Sequence, residues 1–360
     1  MRILFISRAF PPITGGIENH NAALAEWLPR FAETKLIVNR HGKQALPWFL
    51  PYAFLKAFFL MFRSDVLLLG DGVLAPVGAA IKFCFPRKTV VTVLHGLDIT
   101  YTSPIYQRFW VGGCFRHLDG YLCVSEHTRS QATEHGINSR KCIIIPNGVE
   151  TERFAGDRDR NRLETLLGRS LDHKIVLLTL GRLAKRKGVA WFIRHVLSHL
   201  NGNILYAVAG SGPDEPAVLE AIAAAGMNDR VILLGRVSGD DMLTLLHSSD
   251  IFVQPNIRVP GDMEGFGIAV IEAGAAGLPV VASDLEGLRD AIMHGHNGFL
   301  VKPEQTGGFV KTINELAENE DERRAFGDQA ARFIEDTFHW NMIAKRYIET
   351  LEKLSKKSSS

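Results

Sequence analysis

Short apolar runs that end in glycine or a polar residue alternate along this chain with longer stretches of helical period. The first runs are Arg2 to Ser7, Lys35 to Val38, Asp65 to Leu69, Lys88 to Leu94, Gly120 to Val124 and Cys142 to Ile145, with a helix from about Glu18 to Leu28 between the first two. Strands separated by helical patterns imply parallel α/β layers. A polar stretch, Ala155 to His173, interrupts the pattern and reads as a linker. The alternation then restarts with Lys174 to Leu180, Ile204 to Ala209, Arg230 to Leu234, Ile251 to Val253 and Pro279 to Ala282. Two doubly wound α/β domains in series are predicted. Near the end, Trp340, Ile343, Tyr347, Ile348 and Leu351 fall on one helical period, and the tail from Lys356 to Ser360 reads as disordered.

Composition agrees with this layout. The chain has 360 residues and is 46% hydrophobic, which supports two buried cores and excludes a disordered or fibrous protein. The formal net charge is only +2, which argues against a dedicated nucleic-acid binder. That total conceals an asymmetry: residues 1–150 carry 16 basic and 10 acidic side chains, net +6, whereas residues 151–360 carry 25 and 29, net −4. Cys84, Cys114, Cys123 and Cys142 form no CxxC and suggest neither a zinc site nor a disulfide framework, so a reducing, cytoplasmic setting is expected. The apolar part of the amino terminus is too short for a signal peptide and reads as a first strand.

The first strand leads into Gly15-Gly16, where a helix begins. No GxGxxG follows, so a dinucleotide site is not indicated, but two glycines at a helix amino terminus suit the close approach of a phosphate. In the second half, Gly181-Arg182-Leu-Ala-Lys185-Arg186-Lys187-Gly188 sets a basic cluster at the carboxyl end of a strand, the edge where open α/β sheets bind ligands. Arginine grips phosphate with paired hydrogen bonds and lysine acts as a point charge, so the cluster suits a diphosphate; a solvated basic loop would read the same way. Farther on, Glu264-Gly265-Phe266-Gly267-Ile268 leads into an apolar helix that carries Glu272. The backbone N–H groups of Phe266, Gly267 and Ile268 would form an anion-binding helix start, with the two carboxylates available to accept sugar hydroxyls; simple compensation of the helix dipole is the alternative.

Taken together, Gly15-Gly16, His95-Gly-Leu-Asp98, Ser125 to Arg129, Pro146 to Val149, Gly181-Arg182 with Lys187-Gly188, Ala209 to Pro213, Glu264 to Glu272 and Gly277 to Val281 resemble the retaining nucleotide-sugar glycosyltransferases of family four. The resemblance runs from residue 1 to about 350 in the family's order and spacing. It implies the GT-B fold: two Rossmann-like domains facing a cleft, an acceptor domain over about 1–168 and a donor domain over about 169–339. A carboxyl-terminal helix, about 340–355, would cross back to the first domain. It further implies that Arg182 and Lys187 contact the donor diphosphate, Glu272 the ribose, and Glu264 with the Phe266–Ile268 backbone the transferred sugar. Gly16 would approach the diphosphate, and His95 would lie near the reacting carbon; Gly15, Gly16 and His95 would also border the acceptor. The implied partners are a nucleotide-sugar such as a UDP- or GDP-sugar and a glycan or lipid-linked hydroxyl acceptor, with no cofactor.

Asp157-Arg-Asp159 has the form of a metal-binding DxD, but it lies in the polar stretch with arginines interleaved and reads as a solvated charge run; activity without metal is expected. Trp48 to Phe62 is unusual in another way. Of its 15 residues 13 are apolar and seven aromatic, yet Pro51 and Lys56 interrupt it and it falls short of a membrane span. It is either a buried helix of the first domain or an interfacial helix, with Lys43, Arg63, Arg87, Lys88, Arg108 and Arg116 meeting anionic headgroups. Two other functions stay open: a nucleotide-sugar epimerase of related architecture, and a non-catalytic subunit that binds membrane or another chain.

Overall fold

The computed structural model describes residues 1–13 and 15–359. The chain divides into two units, Met1–Gly148 with the segment from Trp340 onward, and Val149–His339. The first holds six parallel strands, β1 (Arg2–Ser7), β2 (Glu33–Val38), β3 (Val66–Leu69), β4 (Thr89–Leu94), β5 (Gly120–Cys123) and β6 (Cys142–Ile144), in the order β2-β1-β3-β4-β5-β6. The second holds β7 (Ile175–Leu180), β8 (Ile204–Ala209), β9 (Val231–Gly235), β10 (Ile251–Gln254), β11 (Val280–Ser283) and β12 (Phe299–Val301), in the order β12-β11-β10-β7-β8-β9. Every pairing is parallel, and β3, β4, β5, β8, β10 and β11 are buried along their whole length, as apolar runs covered by helices on both faces must be. Eleven strands fall where the apolar runs predict them. The twelfth, β12, is a short, half-exposed edge strand with too little apolar run to register.

Strand order reverses between β1 and β3 in the first sheet and between β7 and β10 in the second, and the crevices outside the carboxyl ends at such points are where open α/β sheets take ligands. The helix Trp340–Ser359 packs within the first unit. Trp340 stands against His20 and Gly148, and the Tyr347 hydroxyl lies 3.2 Å from His20 Nε2. This helix runs through Lys356 and Lys357 to Ser359, so the expected disorder there is corrected: the helical hydrogen bonding simply continues. Ser360 lies outside the described residues.

The first domain ends earlier than residue 168. The stretch 149–168 belongs to the second unit because its charges are anchored there. Arg158 Nη2 and Arg160 Nη1 reach the two carboxylate oxygens of buried Asp250 at 2.6 and 3.0 Å, while Asp159 caps the helix Arg160–Leu167 through the Arg162 N–H. The presumed solvated charge run is therefore a clasp.

Among the helices of the first unit are α1 (Gly16–Trp27) and α2 (Leu46–Met61). Of α2, one side is buried through Phe49, Ala53, Ala57 and Met61 and the opposite side is open, so it is neither a fully buried helix nor a span. Among the described residues no helix is long and apolar enough to cross a membrane.

Candidate functional site

At the β7/β10 reversal the loop after β7 and the loop after β10 bring opposite charges together. A single helical turn, Lys185–Lys187, projects Lys187, whose Nζ lies 2.7 Å from Glu264 Oε2. Arg186 Nε is 3.6 Å from the same oxygen, and its Nη1 donates to Asp262 Oδ1 at 3.0 Å. Asn256 Nδ2, just beyond β10, donates to Glu264 Oε2 at 3.3 Å. Burial would push the Glu264 carboxyl up, but the Lys187 and Arg186 charges win and hold it below its ordinary value, so it is ionised at neutral pH. This turn needs glycine after it: Gly188 has φ +68°, and a Cβ there would overlap the Pro255 carbonyl.

Glu264 leads through buried Phe266 and Gly267, with φ +95°, into the helix Ile268–Ala275. The Phe266 ring packs on Phe338, so only its backbone is available to a ligand. Ile268 opens the helix, whose first N–H groups lack intrahelical acceptors. Half-buried Glu272 sits just over one turn inside it. Burial raises its pKa against the opposing charges of Arg153 and Lys187, so Lys187 acts on both carboxylates. Arg182, two residues past the end of β7, is exposed and has no carboxylate partner among the described residues, which leaves its guanidinium free for an anion.

The site contains three members that the sequence reading missed, Asn256, Asp262 and Glu286. Asn256 stands at a strand's carboxyl end, a position that could have been flagged from the pattern alone. Glu286, at φ +51°, accepts the Glu264 N–H through Oε2 at 2.6 Å, and nothing in the sequence announces this.

The remaining predicted residues gather at the carboxyl edge of the first sheet. Gly16 opens α1, preceded by Gly15 in extended backbone; Thr14 lies outside the described residues. His95 follows β4, with its ring Nε2 donating to the Gly70 carbonyl at 3.0 Å. Buried Asp98 fixes that turn: Oδ1 accepts from the N–H groups of His95 and Gly96 at 3.0 and 2.9 Å, and Oδ2 from Gly72 at 2.9 Å. His20 of α1 is buried edge-on to the His95 ring at 5.0 Å. It thereby ties the helix that begins at Gly16 to the His95 turn. Beside them, Arg8 after β1 meets buried Asp71 after β3 at 2.8 Å, across the strand-order reversal.

Two family descriptions match the chain, Glycosyltransferase Family 4 over residues 14–153 and Glycosyl transferases group 1 over residues 168–333. The GDP-mannose-dependent alpha-(1-6)-phosphatidylinositol monomannoside mannosyltransferase of Mycolicibacterium smegmatis is 24% identical over 379 residues, spanning 97% of this chain and 98% of that one. The amylovoran biosynthesis glycosyltransferase AmsK of Erwinia amylovora is 26% identical over 88% of this chain and 77% of its own. Among solved structures, Anabaena Alr3699/HepE in complex with UDP-glucose superposes with a TM-score of 0.80 at 22% identity, over 98% of this chain and 100% of that one.

Proposed function

Because the chain belongs to the family-4 glycosyltransferases, and is by that membership a glycosyltransferase, we propose that it moves a sugar, with retention at the anomeric carbon, from a nucleotide-diphosphate donor to a hydroxyl on a glycan or lipid-linked acceptor. The observation that carries the reading is the cation–carboxylate constellation at the β7/β10 reversal, where exposed Arg182 stands five residues from Lys187. Departure of a nucleoside diphosphate builds negative charge on the β-phosphate and oxocarbenium character on the sugar. Fixed cations meet the first demand, and removing one such preorganised group costs about 10²- to 10³-fold in rate. Arg182 and Lys187 take this role, with the amino-terminal N–H groups of Ile268–Ala275 beside them. The same cations make a bound metal unnecessary for the diphosphate.

Glu264, held ionised, accepts hydrogen bonds and has no proton to donate; it orients sugar hydroxyls, and Glu272 does so for the ribose. A carboxylate already engaged by Lys187, Arg186 and Asn256 is a poor nucleophile, which favours acceptor attack on the face the diphosphate leaves, with a phosphate oxygen taking the acceptor proton, over a covalent glycosyl-enzyme. On the first unit, the Gly15-Gly16 turn and His95 are proposed as substrate-contacting positions. A relative named for GDP-mannose and a structural neighbour bound to UDP-glucose leave the base open between guanine and uracil.

Calorimetry against UDP-, GDP- and ADP-sugars tests donor binding, and proton NMR of the product's anomeric centre tests retention. Binding of none of the donors, or an inverted product, refutes the corresponding part. Full turnover in the presence of chelator is expected; loss that Mn²⁺ or Mg²⁺ restores would overturn the metal-free reading.

A further inference from the structure

We propose that the open side of α2 is a docking surface for an anionic lipid bilayer. In α2, Lys56 is the one charged residue of sixteen, so both faces of the helix are apolar although only one is covered by protein. Trp48, Tyr52, Leu55, Phe59 and Phe62 recur at helical spacing along the other face and are 51–82% exposed. At about 1.5 Å per residue the stripe is roughly 21 Å long. It continues sideways: Phe62 and Phe58 stack edgewise or tilted on Phe85, and Phe83, two residues before it in sequence, is 89% exposed. Contiguous exposed apolar surface of this extent marks an interaction site, and aromatic side chains with a polar tip favour the boundary between hydrocarbon and water.

Charge identifies the occupant. Between Glu33 and Asp65 there is no acidic residue and there are five basic ones, Lys35, Arg40, Lys43, Lys56 and Arg63; from Gly72 to Leu97 there are Lys82, Arg87 and Lys88 and again no acid. Exposed Lys43 precedes α2, exposed Arg63 follows it, and exposed Arg87 follows Phe83, so cations bracket the apolar stripe. Lys56 lays its ammonium 3.1 Å from the Tyr52 hydroxyl, which keeps both polar tips at one level while their stems stay with the aromatic face. Lys88, expected from sequence to meet headgroups, instead donates to the Ser64 carbonyl at 2.6 Å and holds the end of α2 in place. A second copy of this chain would set these cations against their own like, and a neutral apolar partner would leave them uncompensated; an anionic bilayer satisfies the cations and the rings together.

The surface is independent of the transfer chemistry, so its test uses the full chain without donor or acceptor. Sedimentation with vesicles of phosphatidylcholine, alone or mixed with phosphatidylglycerol, is expected to show binding that requires the anionic lipid and weakens with salt. The Trp48→Ser/Phe59→Ser variant should lose at least about tenfold in vesicle affinity at unchanged melting temperature, since both side chains are already exposed. Lys43→Glu/Arg63→Glu should lose binding while keeping the rings. Wild-type protein that stays in the supernatant at low salt, or a double aromatic variant that binds like wild type, overturns the proposal. So does a lipid-free dimer that the aromatic variant dissociates, because the face would then belong to a second copy. None of these results touches the donor-binding measurement, so the two readings fail separately.

Discussion

Replacing Lys187 by methionine keeps the stem and removes the ammonium that lies 2.7 Å from Glu264, where both side chains are only 11% exposed. Breaking a buried pair at one partner strands the other charge and typically costs about 3–5 kcal/mol. Here Arg186 Nε remains 3.6 Å from the same oxygen and Asn256 Nδ2 3.3 Å, so the cost should fall to about 2–3 kcal/mol. In a unit of this size that lowers the melting midpoint by about 2–4 °C per kcal/mol. Adding Glu264→Gln removes the stranded charge, and the double variant should regain most of the lost stability. Turnover should not return with it, because the cation proposed for the diphosphate is still missing and the loss of about 10²- to 10³-fold persists. Thermal unfolding and a donor-turnover assay on the four proteins of this cycle separate the two effects. A double variant no more stable than Lys187→Met would show that the pair is not coupled, and near-normal turnover in folded Lys187→Met would remove Lys187 from the mechanism. The pH dependence has a definite sign. Glu264 is held below its ordinary 4.5, so its stabilising contribution is complete above that value and disappears as pH falls through the lower folded pKa; Lys187→Met should move that loss to higher pH.

Arg182→Ala should cut turnover by about 10²- to 10³-fold while changing stability by less than about 0.5 kcal/mol, since the side chain is exposed and has no carboxylate partner among the described residues; parallel kinetics and melting check both halves. Asp250→Ala should destabilise the second unit by about 3–5 kcal/mol, as it strands Arg158 and Arg160 and leaves the Val176 N–H without an acceptor; denaturant unfolding reads this directly. In the first unit, burial and then the neighbouring His95 charge hold the His20 pKa well below 6.5. The unfolded chain therefore takes up a proton that the folded one refuses, and stability should fall as pH drops below 6.5, by up to about 1.4 kcal/mol per pH unit. His20→Gln should flatten that slope relative to wild type in unfolding measured across pH.

Strands buried on both faces announce themselves because burial demands unbroken apolar runs, which is why β1 to β11 are legible in the sequence and the half-exposed β12 is not. The polar stretch from Ala155 misleads for the opposite reason. Its arginines look solvated by composition, yet they close on Asp250 some ninety residues away, and a partner at that distance leaves no local mark. The same distinction runs through the site. Arg182, Lys187, Glu264 and Glu272 stand next to strand ends or glycine turns and could be singled out; Glu286 reaches Glu264 through a left-handed backbone conformation that no residue type betrays. In α2 the sequence specifies a helix apolar all round, but which side the fold covers depends on where neighbouring elements pack.

The charge asymmetry gains a location from these contacts. Of the first unit's acids, Glu26, Asp65, Asp71, Asp119 and Glu126 are each paired with Arg30, Arg2, Arg8, Lys82 and Arg129 respectively. Asp98 is spent on the backbone of the His95 turn. These pairings cancel, so the excess rests on the unit's other cations. Four of the remaining cations, Lys43, Lys56, Arg63 and Arg87, surround the uncovered aromatic face, and Asp65, the acid nearest them in sequence, is already paired with Arg2. A field concentrated in this way acts over about a Debye length, roughly 8–10 Å at physiological salt, and so would orient the molecule before the rings touch anything. In the proposed docking, electrostatic approach would turn α2 toward the anionic surface, and burial of the aromatic side chains would then slow departure. Added salt should therefore reduce the association rate of the wild type, whereas Trp48→Ser/Phe59→Ser should act mainly on dissociation.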